Sequence, residues 1–129
     1  MSVPENLLFT KDHEWARIDN DLAVIGITDF AQSSLGDITF IDLPKVGQVL
    51  KQGDFYATVE SVKAASDVYA PFSGEVVKVN EQLLNSPDMV NKSPYENGWF
   101  AVVKISDKVE SQKLMSAADY KKYLESIAK

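Results

Sequence analysis

The sequence predicts a mainly β fold with short helices and one longer helix at the C-terminus. Short runs of β-branched and aromatic residues follow one another, and each run is closed by Gly, Pro or an Asn-Asp pair. A helical spacing of apolar residues is clearest near the end of the chain. Short strands with regular turns and terminal helices are typical of a β sandwich or barrel. No shift in composition marks a boundary, so residues 1–129 are predicted to form one domain.

The first third predicts a β-hairpin followed by a short helix. The two strands, 14–19 and 22–27, are separated by the turn-forming pair Asn20-Asp21. A helix is then expected over residues 30–35, because a Thr-Asp pair precedes it as an N-cap and Gly36 follows as a C-terminal glycine.

The middle of the chain predicts further short strands. They cover residues 38–43, 48–50, 55–59, 68–70 and 75–80. Loops and single helical turns follow, and an apolar strand at 99–105 is expected to be largely buried. The C-terminal helix begins after Ser116, with Asp119 three residues later as in a capping box. Its apolar face, which is expected to pack on the sheet, consists of Tyr120, Tyr123, Leu124 and Ile127.

Composition excludes several classes of function. The net charge of −6 argues against nucleic acid, because Lys and Arg supply most phosphate contacts. No apolar run is long enough for a membrane span, and the N-terminus lacks the features of a signal peptide. A cytoplasmic protein of bacterial type is expected, or a mitochondrial-matrix protein only if a transit peptide has been removed. The chain has no cysteine, so thiol chemistry would require a cofactor.

The chain also lacks the motifs of common active sites. His13 is the only histidine, and it is expected to be hydrogen-bonded within the fold rather than to bind a metal or act in catalysis. No metal site, glycine-rich phosphate loop or nucleophile elbow is predicted. These classes of active site are therefore not expected, and lysine chemistry remains.

Lys63 lies in the most distinctive segment of the sequence, between two predicted strands. Small residues follow it and leave its tip open, and Glu60 and Asp67 flank it with carboxylates. These carboxylates favour the ammonium form, which disfavours a Schiff-base nucleophile. An attachment lysine needs only an exposed and rigidly presented tip, so Lys63 is interpreted as an anchor for a cofactor acid.

The segment Glu60-Ser61-Val62-Lys63-Ala64-Ala65-Ser66-Asp67 resembles the lipoylation site of the glycine cleavage system H protein family. The resemblance extends over essentially the whole chain. It includes His13-Glu14-Trp15, Gly26-Ile27-Thr28-Asp29, Leu35-Gly36-Asp37, Asp42-Leu43-Pro44, Tyr69-Ala70-Pro71, Ser73-Gly74-Glu75, Asn91, Ser93-Pro94-Tyr95 and Gly98-Trp99.

The resemblance implies a lipoyl/biotinyl-type hammerhead, or barrel-sandwich hybrid, with lipoic acid in amide linkage to Lys63. It implies a carrier that is not itself an enzyme. This carrier takes the aminomethyl group of glycine from a pyridoxal-phosphate glycine decarboxylase to a tetrahydrofolate-dependent aminomethyltransferase. A dihydrolipoamide dehydrogenase then reoxidises the arm. A lipoate-attaching enzyme is a further partner, and the carrier is expected to be a monomer.

The resemblance also suggests roles for three carboxylates. Glu14 matches a family position that lines the groove for the loaded arm, and Asp67 is a second candidate for an acceptor of its protonated amine. The two carboxylates that flank the lysine, Glu60 and Asp67, are candidates either for recognition by the lipoate-attaching enzyme or as acceptors for the cationic cargo. A surface or structural role is the alternative for Glu14 and Asp67. Phe30 and Ser34 stand where some family members have histidine, so a proton-handling role there does not transfer to this chain.

Three alternatives remain open at the level of sequence. The protein could be mainly a lipoyl or octanoyl relay to other lipoate-dependent enzymes. It could be a biotin-type carrier, although such domains usually place Met on both sides of the lysine, where this chain has Val62 and Ala64. It could also be an unmodified interaction module, for which Lys63→Arg would leave function intact.

Overall fold

The computed structural model describes residues 2–127. The strands are β1 (Leu8–Phe9), β2 (Glu14–Asp19), β3 (Leu22–Ile27), β4 (Ile38–Asp42), β5 (Val49–Leu50), β6 (Phe55–Ser61), β7 (Ala65–Tyr69), β8 (Gly74–Val79) and β9 (Ala101–Ile105). The helices are α1 (Asp29–Leu35), α2 (Gln82–Asn85), α3 (Met89–Lys92) and α4 (Ala117–Ile127), and a 3₁₀ helix covers Lys108–Lys113.

Two antiparallel sheets form the body of the fold. The larger sheet has the strand order β1-β2-β3-β9-β8-β5, and the smaller sheet has the order β4-β6-β7. Alternation along each strand turns one apolar face inward. The main core between the sheets contains Ile41, Val59 and Val68 from the small sheet, and Ile25 and Val103 from the large one. The mainly β prediction with short helices and a C-terminal helix is confirmed.

A second buried cluster lies under the C-terminal helix. It consists of Leu7, Phe9, Trp15, Ala117 and Tyr120. The ring of Tyr120 stacks on that of Phe9, with centroids 4.5 Å apart and planes at 1°. The predicted packing of α4 on the sheet is therefore confirmed, except that the side chain of Ile127 is 42% exposed because it lies in the last turn, beyond the edge of this cluster.

The local predictions hold at most element ends. The β2-β3 hairpin pairs Asp19 with Leu22, as the Asn20-Asp21 turn requires. The side chain of Thr28 caps α1 by accepting from the Ala31 N–H. The final strand begins at Ala101 rather than at 99. The strand β6 ends at Ser61 rather than at 59, and β7 begins at Ala65 rather than at 68, so both strands come closer to Lys63 than predicted. The short strand β1 and the 3₁₀ helix were not predicted. No helix among residues 2–127 is long and apolar enough to cross a membrane.

Candidate functional site

Lys63 lies at the tip of the β6-β7 hairpin. Glu60 pairs with Ala65, and the Ser61 N–H donates to the Ala64 carbonyl at 2.8 Å, so two residues form the loop. Neither loop residue has a positive φ, although tight two-residue hairpins usually need one. Instead, Ser61 Oγ accepts from the N–H groups of Lys63 and Ala64 at 3.2 and 3.1 Å. The serine hydroxyl thus holds the lysine backbone in place.

The side chain of Lys63 lies against the C-terminal end of α1. A Cβ atom at Gly36, which ends this helix with a φ of 79°, would be 3.0 Å from Lys63 Cε and 3.7 Å from Nζ. The helix has no basic residue in its last turn, so the ammonium of Lys63 lies beside a carbonyl end with no cation of its own. The Val62 N–H also donates to the Asp37 carbonyl at 3.0 Å. Gly36 therefore provides room for the base of the lysine arm.

Asn91 braces this region from behind. Its Oδ1 accepts from the Ile38 N–H, and its Nδ2 donates to the carbonyl of Gly36 and to Gln32 Oε1, each at 2.9 Å. One amide therefore joins α1, the glycine under Lys63 and the start of β4. Sequence reasoning gave Asn91 no role, because an isolated Asn in a loop segment carries no signal of which carbonyl it will meet.

Glu60 and Asp67 are both exposed near the hairpin tip. Within the described chain, no hydrogen bond or ion pair joins either carboxylate to Lys63. Asp67 faces Thr58 across the strand pair, two residue pairs from Glu60–Ala65 and therefore on the same face of the sheet. The structure therefore brings these two carboxylates near the lysine without pairing them to it.

Glu14 lies apart from the tip and joins the two sheets. It belongs to β2 of the large sheet, is 2% exposed, and accepts from the Tyr69 N–H of the small sheet at 3.1 Å. Thr10 Oγ1 donates to its other oxygen at 2.5 Å. Burial raises the pKa of Glu14 to about 7, and the hydrogen bonds from Thr10 and Tyr69 oppose that shift. This carboxyl therefore exchanges a proton near neutral pH.

A surface cleft of about 250 Å³ opens beside Glu14. Its walls come from both sheets and from the segment before α4, and they include Thr10, Asp12, Glu14, Gln52, Tyr69, Pro71 and Lys113. About 13 Å of strand, at ~3.3 Å per residue, separates Ala65 near the tip from Tyr69 at the cleft. Lys63 does not line this cleft. A group on Lys63 would need a long arm to enter it.

Tyr56 is a further polar group close to Glu14. Its hydroxyl is buried and has no hydrogen-bond partner within the described chain. Burial, and secondly the charge of Glu14, raises the pKa of Tyr56 well above its ordinary value. The phenol therefore stays neutral and adds no charge beside the carboxyl.

His13 is part of the scaffold, as its sequence context predicted. Its Nδ1 lies 2.8 Å from the hydroxyl of Tyr120, and its ring packs on Phe30. Burial lowers the pKa of His13, so the ring is neutral at pH 7. No group of three or more His, Asp or Glu side chains among residues 2–127 is placed to hold a metal ion.

Two antiparallel sheets with an exposed lysine at the tip of one hairpin are the arrangement that the sequence resemblance implies for a lipoyl-type carrier protein. The model of the glycine cleavage H-protein family matches residues 7–127. A glycine cleavage system H protein from Halothermothrix orenii is 50% identical over 98% of this chain and 99% of its own. The corresponding protein of Carboxydothermus hydrogenoformans is 54% identical over 95% of each chain.

A solved structure shows the same likeness. The crystal structure of a glycine cleavage system H protein from Mycobacterium marinum superposes with a TM-score of 0.87 at 32% identity, covering 95% of this chain and 99% of that one. The chain belongs to the glycine cleavage H-protein family. Proteins of this family are lipoyl carriers and not catalysts.

Proposed function

We propose that Lys63 is the residue to which the lipoyl group is attached, through an amide between Nζ and the lipoyl carboxyl carbon. The observation that carries this proposal is the exposed lysine on a two-residue loop whose backbone is fixed by Ser61 Oγ. Such a loop presents one nucleophilic nitrogen on an exposed side chain at the tip of the β6-β7 hairpin. An attaching enzyme can therefore reach Nζ without unfolding the hairpin.

The residues present fit a lipoyl arm. Nζ of Lys63 has no hydrogen bond or ion pair with any residue in the range 2–127, so acylation breaks no contact of this kind. Gly36 leaves room at the base of the arm. The chain contributes no cysteine that could exchange with the cofactor disulfide.

The protein is a lipoyl carrier of the glycine cleavage system and works with the decarboxylase, the aminomethyltransferase and the dihydrolipoamide dehydrogenase of that system. Bound lipoate supplies a disulfide that accepts the aminomethyl group of glycine and is afterwards reoxidised. The chain itself anchors, presents and shelters the arm.

We propose that Glu14 is the polar group that receives a cationic cargo in the cleft. The deprotonated carboxyl would accept from an ammonium group, and the Thr10 and Tyr69 bonds hold it in position. Asp67 lies two residues from Tyr69 on the same strand face, so it is a second acceptor nearer the tip. For Glu60, we propose recognition by the lipoate-attaching enzyme.

We further propose that residues 1–129 act as one monomeric carrier domain in the cytoplasm. The continuous core between the sheets supports a single unit. The relatives described above come from bacteria, in which a lipoyl carrier would meet its partners in that compartment.

The test of the attachment site is intact and peptide mass spectrometry after lipoylation. We expect the lipoyl increment on the peptide that contains Lys63, and its complete loss in Lys63→Arg. Lys45→Arg, at another exposed lysine, is the matched control and should be modified normally. A lipoyl increment that persists in Lys63→Arg would refute the assignment.

The wild type and Lys63→Arg also distinguish a carrier of the glycine cleavage system from a lipoyl relay to other enzymes. Lipoylated protein combined with decarboxylase, aminomethyltransferase, tetrahydrofolate, dihydrolipoamide dehydrogenase and NAD⁺ should support glycine-dependent turnover, and Lys63→Arg should not. If lipoylated protein donates its lipoyl group to other enzymes but gives no turnover of glycine, the relay alternative is correct.

A further inference from the structure

The outer face of the small sheet carries an exposed aromatic ring surrounded by carboxylates. The register aligns Phe40, Glu60 and Ala65 in one row across the three strands, and Asp42, Thr58 and Asp67 in the next. Side chains two residues apart on a strand point to the same side, so Phe40, Asp42, Glu60 and Asp67 share this surface. We call these four residues the acidic-aromatic face.

Phe40 is 50% exposed although it lies within a strand. The neighbouring positions on the opposite side of the sheet, Ile41 and Val59, are buried in the core. Apolar side chains already fill the inward face of the sheet. The ring of Phe40 lies on the outward face and does not contribute to the core. An exposed aromatic ring within a polar rim is typical of a protein interface.

The carboxylates of this face have no partners within the described chain. No ion pair or side-chain hydrogen bond among residues 2–127 involves the carboxylate of Asp42, Glu60 or Asp67. Glu60 and Asp67 lie on the diagonal of adjacent rows, about 7–8 Å apart at Cα, where like charges repel. A basic surface placed on this face would relieve that repulsion.

We propose that the acidic-aromatic face is the docking surface for the enzyme that attaches lipoate to Lys63, and that the enzyme meets it with Lys or Arg side chains around an apolar pocket for Phe40. The inference rests on the proposed role of Lys63. It extends the recognised surface from the lysine loop across to β4, which is remote in sequence.

Reach distinguishes this partner from the others. An attaching enzyme forms a bond to Nζ itself, so its active site must approach within contact distance of the hairpin tip. The decarboxylase, transferase and dehydrogenase act on the sulfurs, which the lysine side chain and the lipoyl chain hold away from the backbone. The acidic-aromatic face includes Glu60 of β6, three residues before Lys63, and therefore leads to the hairpin tip, so it suits the partner that must bind there.

The experiment measures kcat/KM for lipoate attachment with purified attaching enzyme, ATP, lipoate and the full-length protein. Phe40→Thr removes the ring and keeps a good strand former, and Asp42→Lys reverses one charge. Matched controls are Val49→Thr, a 75% exposed apolar residue of the other sheet, and Asp21→Lys, an exposed carboxylate in the β2-β3 turn. Thermal unfolding of each variant verifies the fold.

Phe40→Thr should lower kcat/KM about tenfold, as expected for an anchoring aromatic side chain. Asp42→Lys should lower it about tenfold at low salt and flatten its salt dependence, because a steering charge has been reversed. Both controls should stay within about twofold of the wild type. The loss should appear in KM, since the geometry of the lysine loop is unchanged.

Three results would overturn the inference. Attachment rates for Phe40→Thr and Asp42→Lys that match those of the controls would overturn this inference but would not affect the proposed function. So would normal attachment combined with loss of glycine turnover by the lipoylated variants, which would assign the face to the decarboxylase. Modification of a lysine other than Lys63 would overturn the proposed function together with this inference.

Discussion

Burial controls the chemistry of Glu14. The carboxyl is 2% exposed, and the two hydrogen bonds that it accepts only partly offset the loss of water. Its proton is therefore held more tightly in the folded protein than in the unfolded chain. A group in this state weakens the fold when it becomes charged.

The stability of the protein should therefore contain a component from Glu14 that falls as pH rises. Its folded pKa of about 7 exceeds its ordinary value of 4.5, so the stabilising component is fully present below pH 4.5 and is lost as pH rises through 7. A shift of this size corresponds to about 3 kcal/mol. Urea unfolding of wild type and Glu14→Gln between pH 4 and pH 8 measures it.

Glu14→Gln keeps the shape of the side chain and removes the titration. The difference in unfolding free energy between wild type and variant should shift by about 3 kcal/mol in favour of the variant from pH 4 to pH 8. Asp12→Asn, which alters a neighbouring carboxylate of smaller influence, is the control and should change this profile much less. A constant difference across the range would show that Glu14 has an ordinary pKa when folded.

Single residues differ in how far the sequence reveals them. Lys63 could be singled out because its small neighbours, its place between strands and its resemblance to a lipoylation-site segment are all carried by adjacent residues. Glu14 could be named from the resemblance, but its burial depends on Tyr69, which lies far along the chain. Asn91 could not be interpreted, because its partners in α1 and β4 are brought to it only by the fold.

At the scale of elements, the β6-β7 hairpin depends on a side chain to close its turn. Ser61 Oγ accepts hydrogen bonds from the backbone N–H groups of Lys63 and Ala64. Two-residue hairpin loops more often use residues with positive φ, which neither residue of this loop has. The backbone position of Lys63 therefore depends on Ser61, which lies two residues earlier in the same loop segment.

Removal of this hydroxyl should destabilise the tip. Ser61→Ala should lower the unfolding free energy by about 1 kcal/mol, because the turn is exposed and water replaces part of the lost bonding. Hydrogen exchange at the Lys63 and Ala64 amides should accelerate. Ser66→Ala, at an exposed serine of the next strand, should change stability by less than about 0.5 kcal/mol. Equal effects at the two serines would remove Ser61 from its proposed role.

The elements that sequence patterns missed share one physical property. Strand β1 has two residues, and its Phe9 exchanges backbone hydrogen bonds with Met115 just before α4. The 3₁₀ helix is held by Glu110, which accepts from the N–H and hydroxyl of Ser73 at 2.7 and 2.6 Å. Both are stabilised by contacts distant in sequence, so no local periodicity indicates them. Longer strands with their own apolar alternation were predicted, but β6 and β7 extend to Ser61 and Ala65, beyond the predicted ends at 59 and 68.

At the scale of the whole molecule, Tyr120 connects the C-terminal helix with the lysine region. Its hydroxyl lies 2.8 Å from Thr28 Oγ1, the side chain that caps the start of α1. The other end of α1 is Gly36, on which Lys63 lies. The cluster around Tyr120 is nevertheless separate from the main core between the sheets. This separation predicts that α4 opens as a smaller cooperative unit than the sheets.

Native-state hydrogen exchange should reveal that unit. Amides of α4 should open at a lower free energy than those of β3 and β9, whose side chains occupy the main core. Tyr120→Ala removes a buried ring, a change that costs about 3–5 kcal/mol, and should lower the opening free energy of α4 most. Amides of the central strands should lose much less protection, since the main core keeps its contacts.

Tyr123→Ala provides the matched control in the same helix. Tyr123 is half-buried, and its hydroxyl donates to the Lys11 carbonyl at 3.2 Å. Its loss should therefore lower the opening free energy of α4 by less than the loss of Tyr120. If Tyr120→Ala instead lowers protection of α4, β3 and β9 by the same amount, the two clusters unfold together. In that case the sheets and α4 form one cooperative unit, and the hairpin that carries Lys63 does not stay folded after α4 opens.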